Sequence, residues 1–101
     1  MYAQEISRTI IISSVIDDVL AREVVAHIMA INDHDMQVAD GIASVGGKFT
    51  PEPIEMFINS GGGSVTDGFA IIDAMEMSET PIVTYGMGSV GSMALAIFIA
   101  G

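Results

Sequence analysis

Apolar residues occur along the chain in blocks whose spacing changes from one block to the next. Residues 9–12 read Thr-Ile-Ile-Ile, a β-branched run typical of a strand that is buried on both faces. From residue 16 to residue 31 the apolar positions recur every three or four residues, which predicts one face of a helix. These positions are Ile16, Leu20, Val24, Ile28 and Ile31. Further strands are predicted over residues 55–58 and 81–85, a second helix over 64–79, and a third helix from Ser92 onward.

Polar and glycine-rich segments separate these blocks. Residues 32–53 are rich in Asp, Asn, Gly, Ser and Pro, and they are predicted to form an extended loop. The turns Asn-Ser-Gly-Gly-Gly-Ser (59–64) and Gly-Met-Gly-Ser-Val-Gly (86–91) follow the second and third strands. The order β-α-loop-β-α-β-α predicts an α/β domain with a parallel sheet and right-handed crossovers. Both turns then lie at the carboxyl edge of the sheet, where such folds place their sites.

Composition excludes several classes of protein. The 101 residues include 13 Asp and Glu, 3 Lys and Arg and no Cys, for a net charge of −10. Three cations cannot supply a nucleic-acid footprint, and a chain that is 50% hydrophobic is too apolar to be disordered. The length allows one domain, and the absence of Cys excludes a disulfide scaffold or a thiolate zinc site.

The distribution of charge raises the question of a membrane segment. No charged residue follows Glu79, but Pro81 and several glycines interrupt the uncharged tail, so we expect no membrane span. Residues 1–6 have neither the basic start nor the apolar run of a secretory leader. Together with the absence of Cys, this favours a cytoplasmic protein.

The two glycine-rich turns have three possible functions. A phosphate-binding P-loop needs a Lys, but the single Lys of the chain, Lys48, lies elsewhere. Residues 86–91 match G-x-G-x-x-G, but no acidic residue follows to hold a ribose, so no cofactor is expected. In the third interpretation the turns form one site, with Ser92 as a nucleophile and backbone N–H groups of residues 61–63 and Met93 as oxyanion donors. The simpler alternative for Ser92 is a helix N-cap.

The histidines and neighbouring acids are weaker candidates. Asp33, His34 and Asp35 suggest a metal site, but three adjacent polar residues in a loop are more simply a solvated turn. His27 lies beside the apolar stripe of the first helix and is interpreted as a flanking or core residue. No metal is therefore expected.

Two segments resemble the Clp protease proteolytic subunit family. Residues 57–75 read F-I-N-S-G-G-G-S-V-T-D-G-F-A-I-I-D-A-M, similar to the family motif Y-I-N-S-P-G-G-S-V-T-A-G-L-A-I-Y-D-T-M. Residues 88–94 read G-S-V-G-S-M-A, similar to G-x-A-A-S-M-G. Residues 8–12 and 16–18 resemble the family's R-x-I-x-L and I-D-D segments. The resemblance covers nearly the whole chain except residues 32–53.

This resemblance implies a fold and a chemistry. The fold is α/β, a ClpP/crotonase-like spiral of β-α-β units, of which residues 1–101 supply about the N-terminal half of a single domain. The implied activity is serine endopeptidase, acting on polypeptides in a homo-oligomeric ring beside an ATP-driven unfoldase. Ser92 matches the nucleophile, and Gly62 and Met93 match the oxyanion donors. The substrate-binding edge matches Gly62, Gly63, Ser64 and Val65.

Departures from the family pattern leave two alternatives open. Gly61 stands where the family has Pro, Val90 and Gly91 replace two Ala, and Ala94 replaces Gly. The family's His and Asp come after the nucleophile, whereas this sequence ends nine residues after Ser92. A crotonase-like acyl-CoA enzyme would use the same fold and two N–H donors without needing that serine. A catalytically inactive ring subunit or interaction module would need no triad.

Overall fold

A computed structural model describes residues 6–101 and contains a parallel sheet with three helices. The strands β1, β2 and β3 and the helices α1, α2 and α3 alternate along the chain, and the sheet order is β1-β2-β3. Their bounds in chain order are β1 Thr9–Ile12, α1 Asp18–Ala43, β2 Ile54–Ser60, α2 Val65–Met77, β3 Ile82–Val90 and α3 Met93–Ala100. The α/β prediction is thus confirmed, while residues 1–5, which carry most of the leader argument, lie outside the described part.

The helices cover one face of the sheet. Alternate residues of β1 and β2 point into this core, and Ile12, Met56 and Ile58 are fully buried. The predicted helical stripe packs onto them, with Ile28 and Ile31 also excluded from solvent. Its first member, Ile16, is buried but precedes α1 and forms a β-bridge with Gly63, so the predicted start of this helix is wrong. Side chains from α2 and α3, including Ile71 and Ile97, complete the core. Burial of this apolar surface is the main force that brings the β-α units together.

The opposite face of the sheet, here called the open face, is only partly covered by the described residues. Ile11 is 63% exposed, so the prediction that β1 is buried on both faces is wrong for this part of the chain. Ile11, Phe57 and Tyr85 form one row across the three strands, and the two rings stack with their centroids 4.8 Å apart. Parallel sheets are normally covered on both faces, so the open face is available for a further packing layer.

The predicted loop over residues 32–53 is wrong for its first half, because α1 continues to Ala43. Asn32 holds the segment in place: its Nδ2 donates to Ile28 O and to Ser78 Oγ, and its Oδ1 accepts from Glu79 N at 2.8 Å. Asp35 is buried and paired with Arg8 and Thr80. These tertiary contacts supply the partners that polar side chains otherwise seek in turns.

The Asp33-His34-Asp35 triplet therefore lies on a helix and not in a solvated turn. Adjacent helical residues point in different directions, and Asp33 accepts a hydrogen bond from Gln37 at 3.0 Å while Asp35 faces the core. Within residues 6–101, no group of three or more His, Asp or Glu side chains is arranged to hold a metal ion.

The connection between α1 and β2 is a short exposed loop over residues 44–53. Gly46 has φ +81°, and the N–H groups of Gly46 and Gly47 donate to Ala43 O and Ile42 O. This left-handed glycine cap ends the helix. Lys48 follows directly and is exposed.

Limited trypsin digestion is expected to cut first after Lys48. Arg22 lies inside α1 and Arg8 is bound to Asp35, whereas Lys48 lies in an exposed loop that a protease can unfold locally. Intact-mass spectrometry of early time points should show two fragments, residues 1–48 and residues 49–101. Lys48→Gln should delay the first cut, and early cleavage at Arg22 would contradict the helical assignment of α1.

The predicted glycine turn over residues 86–91 is also wrong in part, because β3 continues through it to Val90. Ile58 pairs with Gly86 and Ser60 pairs with Val90. Between these two pairs the chain advances by four residues in β3 but by only two in β2. The segment is a bulged strand end, which keeps part of its backbone in the sheet. The apolar helix α3 follows, and within the described chain no helix is both long and apolar enough to cross a bilayer.

Candidate active site at the Ser92 turn

The two glycine-rich segments meet at the carboxyl edge of the sheet. A Cβ atom placed on Gly62 would lie 2.8 Å from Ser92 Cβ and 3.2 Å from Met93 N, so the two backbones are in close contact. Gly91 N donates to Ser60 O at 3.0 Å and ties the second segment to the end of β2. The structure thus brings together Gly62, Ser92 and Met93, which the sequence placed at one site.

Ser92 has the most unusual backbone of the site. Its φ of +51° is the one positive value at a non-glycine position within residues 6–101. Such a conformation costs about 1–3 kcal/mol, and it persists where surrounding contacts impose it, often at functional sites. Here the contact with Gly62 and the bond from Gly91 to Ser60 hold the turn.

The Ser92 hydroxyl does not cap α3. At the other two helix starts the side chain does so: Asp17 accepts from Leu20 N at 2.9 Å, and Ser64 accepts from Asp67 N at 3.2 Å. Ser92 makes no such bond, and its residue is exposed. The side chain of Ser92 therefore does not perform the hydrogen-bonding role that serine usually has at a helix start.

The backbone N–H groups near Ser92 differ in whether they already have an acceptor. Met93 is the first residue of α3, so its N–H has no acceptor within the helix. The N–H of Gly62, by contrast, donates to Ser60 Oγ at 3.1 Å. Gly62 O accepts from Ile16 N at 3.0 Å, and Ser64 N donates to Ile16 O at 2.8 Å. Gly62 O and Ser64 N thus both point toward Ile16, on either side of Gly63. Backbone groups alternate in direction along an extended chain, so the N–H of Gly63 points away from Ile16.

The same alternation changes the predicted substrate edge. Gly62 and Ser64 direct their backbone groups to Ile16 and Ser60, so they do not offer a free strand edge. Gly63 and Val65 lie two residues apart, and Val65 N–H, at the start of α2, has no intrahelical acceptor. From the residues alone, Gly63 was one of three possible oxyanion donors in the first turn, and the family resemblance gave it only as a substrate contact. Only the folded structure shows the bridge between Ile16 and Gly63, which leaves the Gly63 N–H without a protein acceptor among the described residues.

Both histidines lie at the other end of the sheet. His27 Nε2 is 2.7 Å from the backbone oxygen of Ser7, just before β1, and His34 lines a cavity with Ser7 and Arg8. Ser92 follows the carboxyl end of β3, and the strands are parallel. Neither histidine is therefore placed to accept a proton from Ser92.

Comparisons with known proteins agree with one another on the family. The Clp protease family profile matches residues 50–101. ATP-dependent Clp protease proteolytic subunit 1 of Corynebacterium jeikeium is 36% identical over 94 residues, which are 93% of this chain and 43% of that protein. Subunit 2 of Tropheryma whipplei is 35% identical, with shares of 93% and 44%.

Solved structures give the same result. A ClpP1 mutant from Listeria monocytogenes superposes with a TM-score of 0.74 at 27% identity, covering 92% of this chain and 46% of that one. The ClpP protease catalytic domain from Plasmodium falciparum gives 0.75 at 26% identity, covering 93% and 44%. The chain thus spans less than half the length of these relatives. The sequence motifs, the strand order and these matches lead to one conclusion: the chain belongs to the Clp protease family.

Proposed function

We propose that this chain forms part of a serine endopeptidase subunit of the Clp type, in which Ser92 is the nucleophile. The observation that carries the proposal is the conformation of Ser92. Its backbone is held at φ +51° against Gly62, and its hydroxyl forms no hydrogen bond to the N-terminus of α3. A helix N-cap serine has neither feature. A nucleophile on a tight turn needs both, because its oxygen must project toward a substrate carbonyl.

The proposed step is acyl transfer to Ser92. Its Oγ bonds to the scissile carbonyl carbon as its proton passes to a base, and the C–N bond then breaks as the base protonates the departing amine. Water hydrolyses the resulting ester in the reverse manner. The N–H of Met93 would hold the oxyanion, and the positive end of the α3 dipole would add to its stabilisation.

For the second oxyanion donor we propose Gly63 in place of Gly62. The Gly62 N–H already donates to Ser60 Oγ, whereas the Gly63 N–H points away from Ile16 and has no protein acceptor within the described residues. Gly62 would then serve through its lack of a side chain, which lets the two turns approach closely. Gly63 and Val65 would bind an extended polypeptide through alternate backbone groups.

A general base completes the proposal, and neither His27 nor His34 is placed to serve as one. We propose that it comes from a part of the subunit outside residues 6–101. The remaining expectations, a homo-oligomeric ring, an ATP-driven unfoldase partner and a cytoplasmic location, rest on family membership. The apolar open face of the sheet supports association with further protein surface.

Labelling with a fluorophosphonate probe tests this proposal. The chain is treated alone and after co-expression with the portion of the Corynebacterium jeikeium subunit that it does not match, and co-purification first verifies that the two pieces assemble. Labelling of the assembled protein is expected at Ser92, mapped by peptide mass spectrometry, with little or none in Ser92→Ala.

The result also separates the alternatives. An assembled protein that never labels at Ser92 would contradict the nucleophile assignment and favour an inactive ring subunit. Hydrolysis of acyl-CoA that survives Ser92→Ala would favour a crotonase-like enzyme, since that chemistry needs the two N–H donors but no serine at this position. Exposed Ser44, in the loop after α1, provides a further control, because Ser44→Ala should leave the labelling at Ser92 intact.

A further inference from the structure

The end of β3 contains two more residues than the strand beside it. Ile58 pairs with Gly86, and two residues later Ser60 pairs with Val90, four residues after Gly86. The intervening residues of β3 must leave the regular ladder, and pairing resumes at Val90, two residues before Ser92. The conformation of the bulge therefore determines the direction in which the chain enters the turn.

The side chain of Asn59 occupies the gap in the ladder. Its Oδ1 accepts a hydrogen bond from Ser89 N at 3.0 Å, replacing the backbone carbonyl that a regular sheet would offer. The same oxygen would lie only 2.9 Å from a Cβ on Gly88, whose φ is +68°. Because a backbone N–H is the donor, the oxygen of the amide and not its nitrogen must face Ser89.

Asn59 makes this contact from the surface. It lies on the exposed face of β2, while its neighbours Ile58 and Ser60 are buried. Loss of its side chain therefore opens no cavity in the core. Immediately after the bulge, Ser60 O accepts from Gly91 N at 3.0 Å, so the side chain of Asn59 and the backbone of Ser60 together hold residues 89–91.

We infer that Asn59 is a positioning residue for Ser92: it fixes the β3 bulge through Ser89 N, and the bulge sets the path of the chain into the nucleophile turn. The inference rests on the proposed function of Ser92. It assigns Asn59 no contact with substrate, and the residue acts through residues 88–91. A displacement of a reacting group by about 1 Å is enough to slow a reaction by about 100-fold.

A matched pair of substitutions tests this inference. Asn59→Leu keeps the approximate volume but removes the acceptor, whereas Asn59→Asp keeps an acceptor oxygen. In the assembled protein we expect Asn59→Leu to lower the second-order rate constant of fluorophosphonate labelling by about 10- to 100-fold. Asn59→Asp should recover most of that loss. Amide hydrogen exchange at Ser89 should accelerate in Asn59→Leu and remain slow in Asn59→Asp, while the melting temperatures stay close to that of the wild type.

The outcomes distinguish this inference from the proposed function. Equal labelling of wild type and Asn59→Leu would overturn the role of Asn59 while leaving Ser92 as the nucleophile. Equally poor labelling of both variants would also overturn it, because rescue by an acceptor is its central claim. If the wild type itself does not label, the function of Ser92 is wrong, and unchanged exchange at Ser89 would then overturn the structural part of the inference as well.

Discussion

Replacing Gly62 with alanine is expected to reduce fluorophosphonate labelling of Ser92 by about 100-fold or more, comparable to the loss of one oxyanion donor. Gly62 has φ +110°, a conformation that residues with a side chain rarely adopt. The added methyl group would lie 2.8 Å from Ser92 Cβ and 3.1 Å from Gly91 O. It must therefore push the nucleophile turn away from the first glycine segment, which separates the hydroxyl from the N–H groups beside it.

Gly61→Ala is the matched control for this experiment. Gly61 is the preceding residue, its φ is not positive, and an added Cβ would meet no atom within 4 Å. It is also the position where the family motif has Pro, so a side chain there is expected to be tolerated. Labelling within about twofold of wild type is expected for Gly61→Ala. Similar losses in both variants would show that the close approach at Gly62 does not determine the reactivity of Ser92.

Replacing Asp35 with alanine is expected to lower the free energy of unfolding by about 3–5 kcal/mol, because it removes the carboxylate that balances the charge of a partly buried guanidinium. Asp35 is 5% exposed and accepts from Arg8 at 2.9 Å and from Thr80 Oγ1 at 2.6 Å. Through these contacts it joins α1 to the residues before β1 and before β3. Chemical denaturation followed by circular dichroism measures the loss.

Asp33→Ala provides the control on the same helix. Asp33 is exposed, and it is joined to Gln37 by a local hydrogen bond at 3.0 Å. Its removal is expected to change the free energy of unfolding by less than about 0.5 kcal/mol. If Asp35→Ala were as mild as Asp33→Ala, the pair with Arg8 would not hold the second half of α1 in place.

The pH dependence of stability should report the same pair. Hydrogen bonds from Arg8 hold the pKa of Asp35 below its ordinary value of 3.8; burial acts in the opposite direction, and the bond from Thr80 adds to the lowering. Since the folded-state pKa lies below the unfolded one, this contribution is complete above about pH 4 and is lost as pH falls through the folded pKa. As the pH is lowered through this range, the free energy of unfolding of Asp35→Asn should therefore fall less steeply than that of the wild type.

Much of the fold could be predicted from local patterns. The apolar positions Val24, Ile28 and Ile31 identified the first helix, because a helix that packs on a sheet must bury one continuous face. Ile16 was wrongly counted with them, since it precedes the helix. Short apolar runs identified the strands, and alternation of strands with helices implied the parallel sheet. The two glycine segments, one after β2 and one at the end of β3, were placed correctly at its carboxyl edge, since the ends of parallel strands lie together.

The errors have a common physical origin. Residues 32–43 have the composition of a loop, but Asn32 and Asp35 find hydrogen-bond partners on Ser78, Thr80 and Arg8, which are distant in sequence. The segment at residues 86–90 has the glycines of a turn, but Asn59 and the backbone of β2 retain it in the sheet. In both cases partners that are remote along the chain override the local preference.

The sequence by itself determined the alternation of strands and helices, the edge where the glycine segments lie, and Ser92 with Met93 as candidate chemistry. These follow from periodicity, from the chirality of β-α-β units and from motifs contained within a few residues. Only the tertiary structure decided the length of α1, the positive φ of Ser92 and the engagement of the Gly62 N–H by Ser60. Hydrogen bonds and close contacts between separate elements determine these features, so they exist only once the chain has folded.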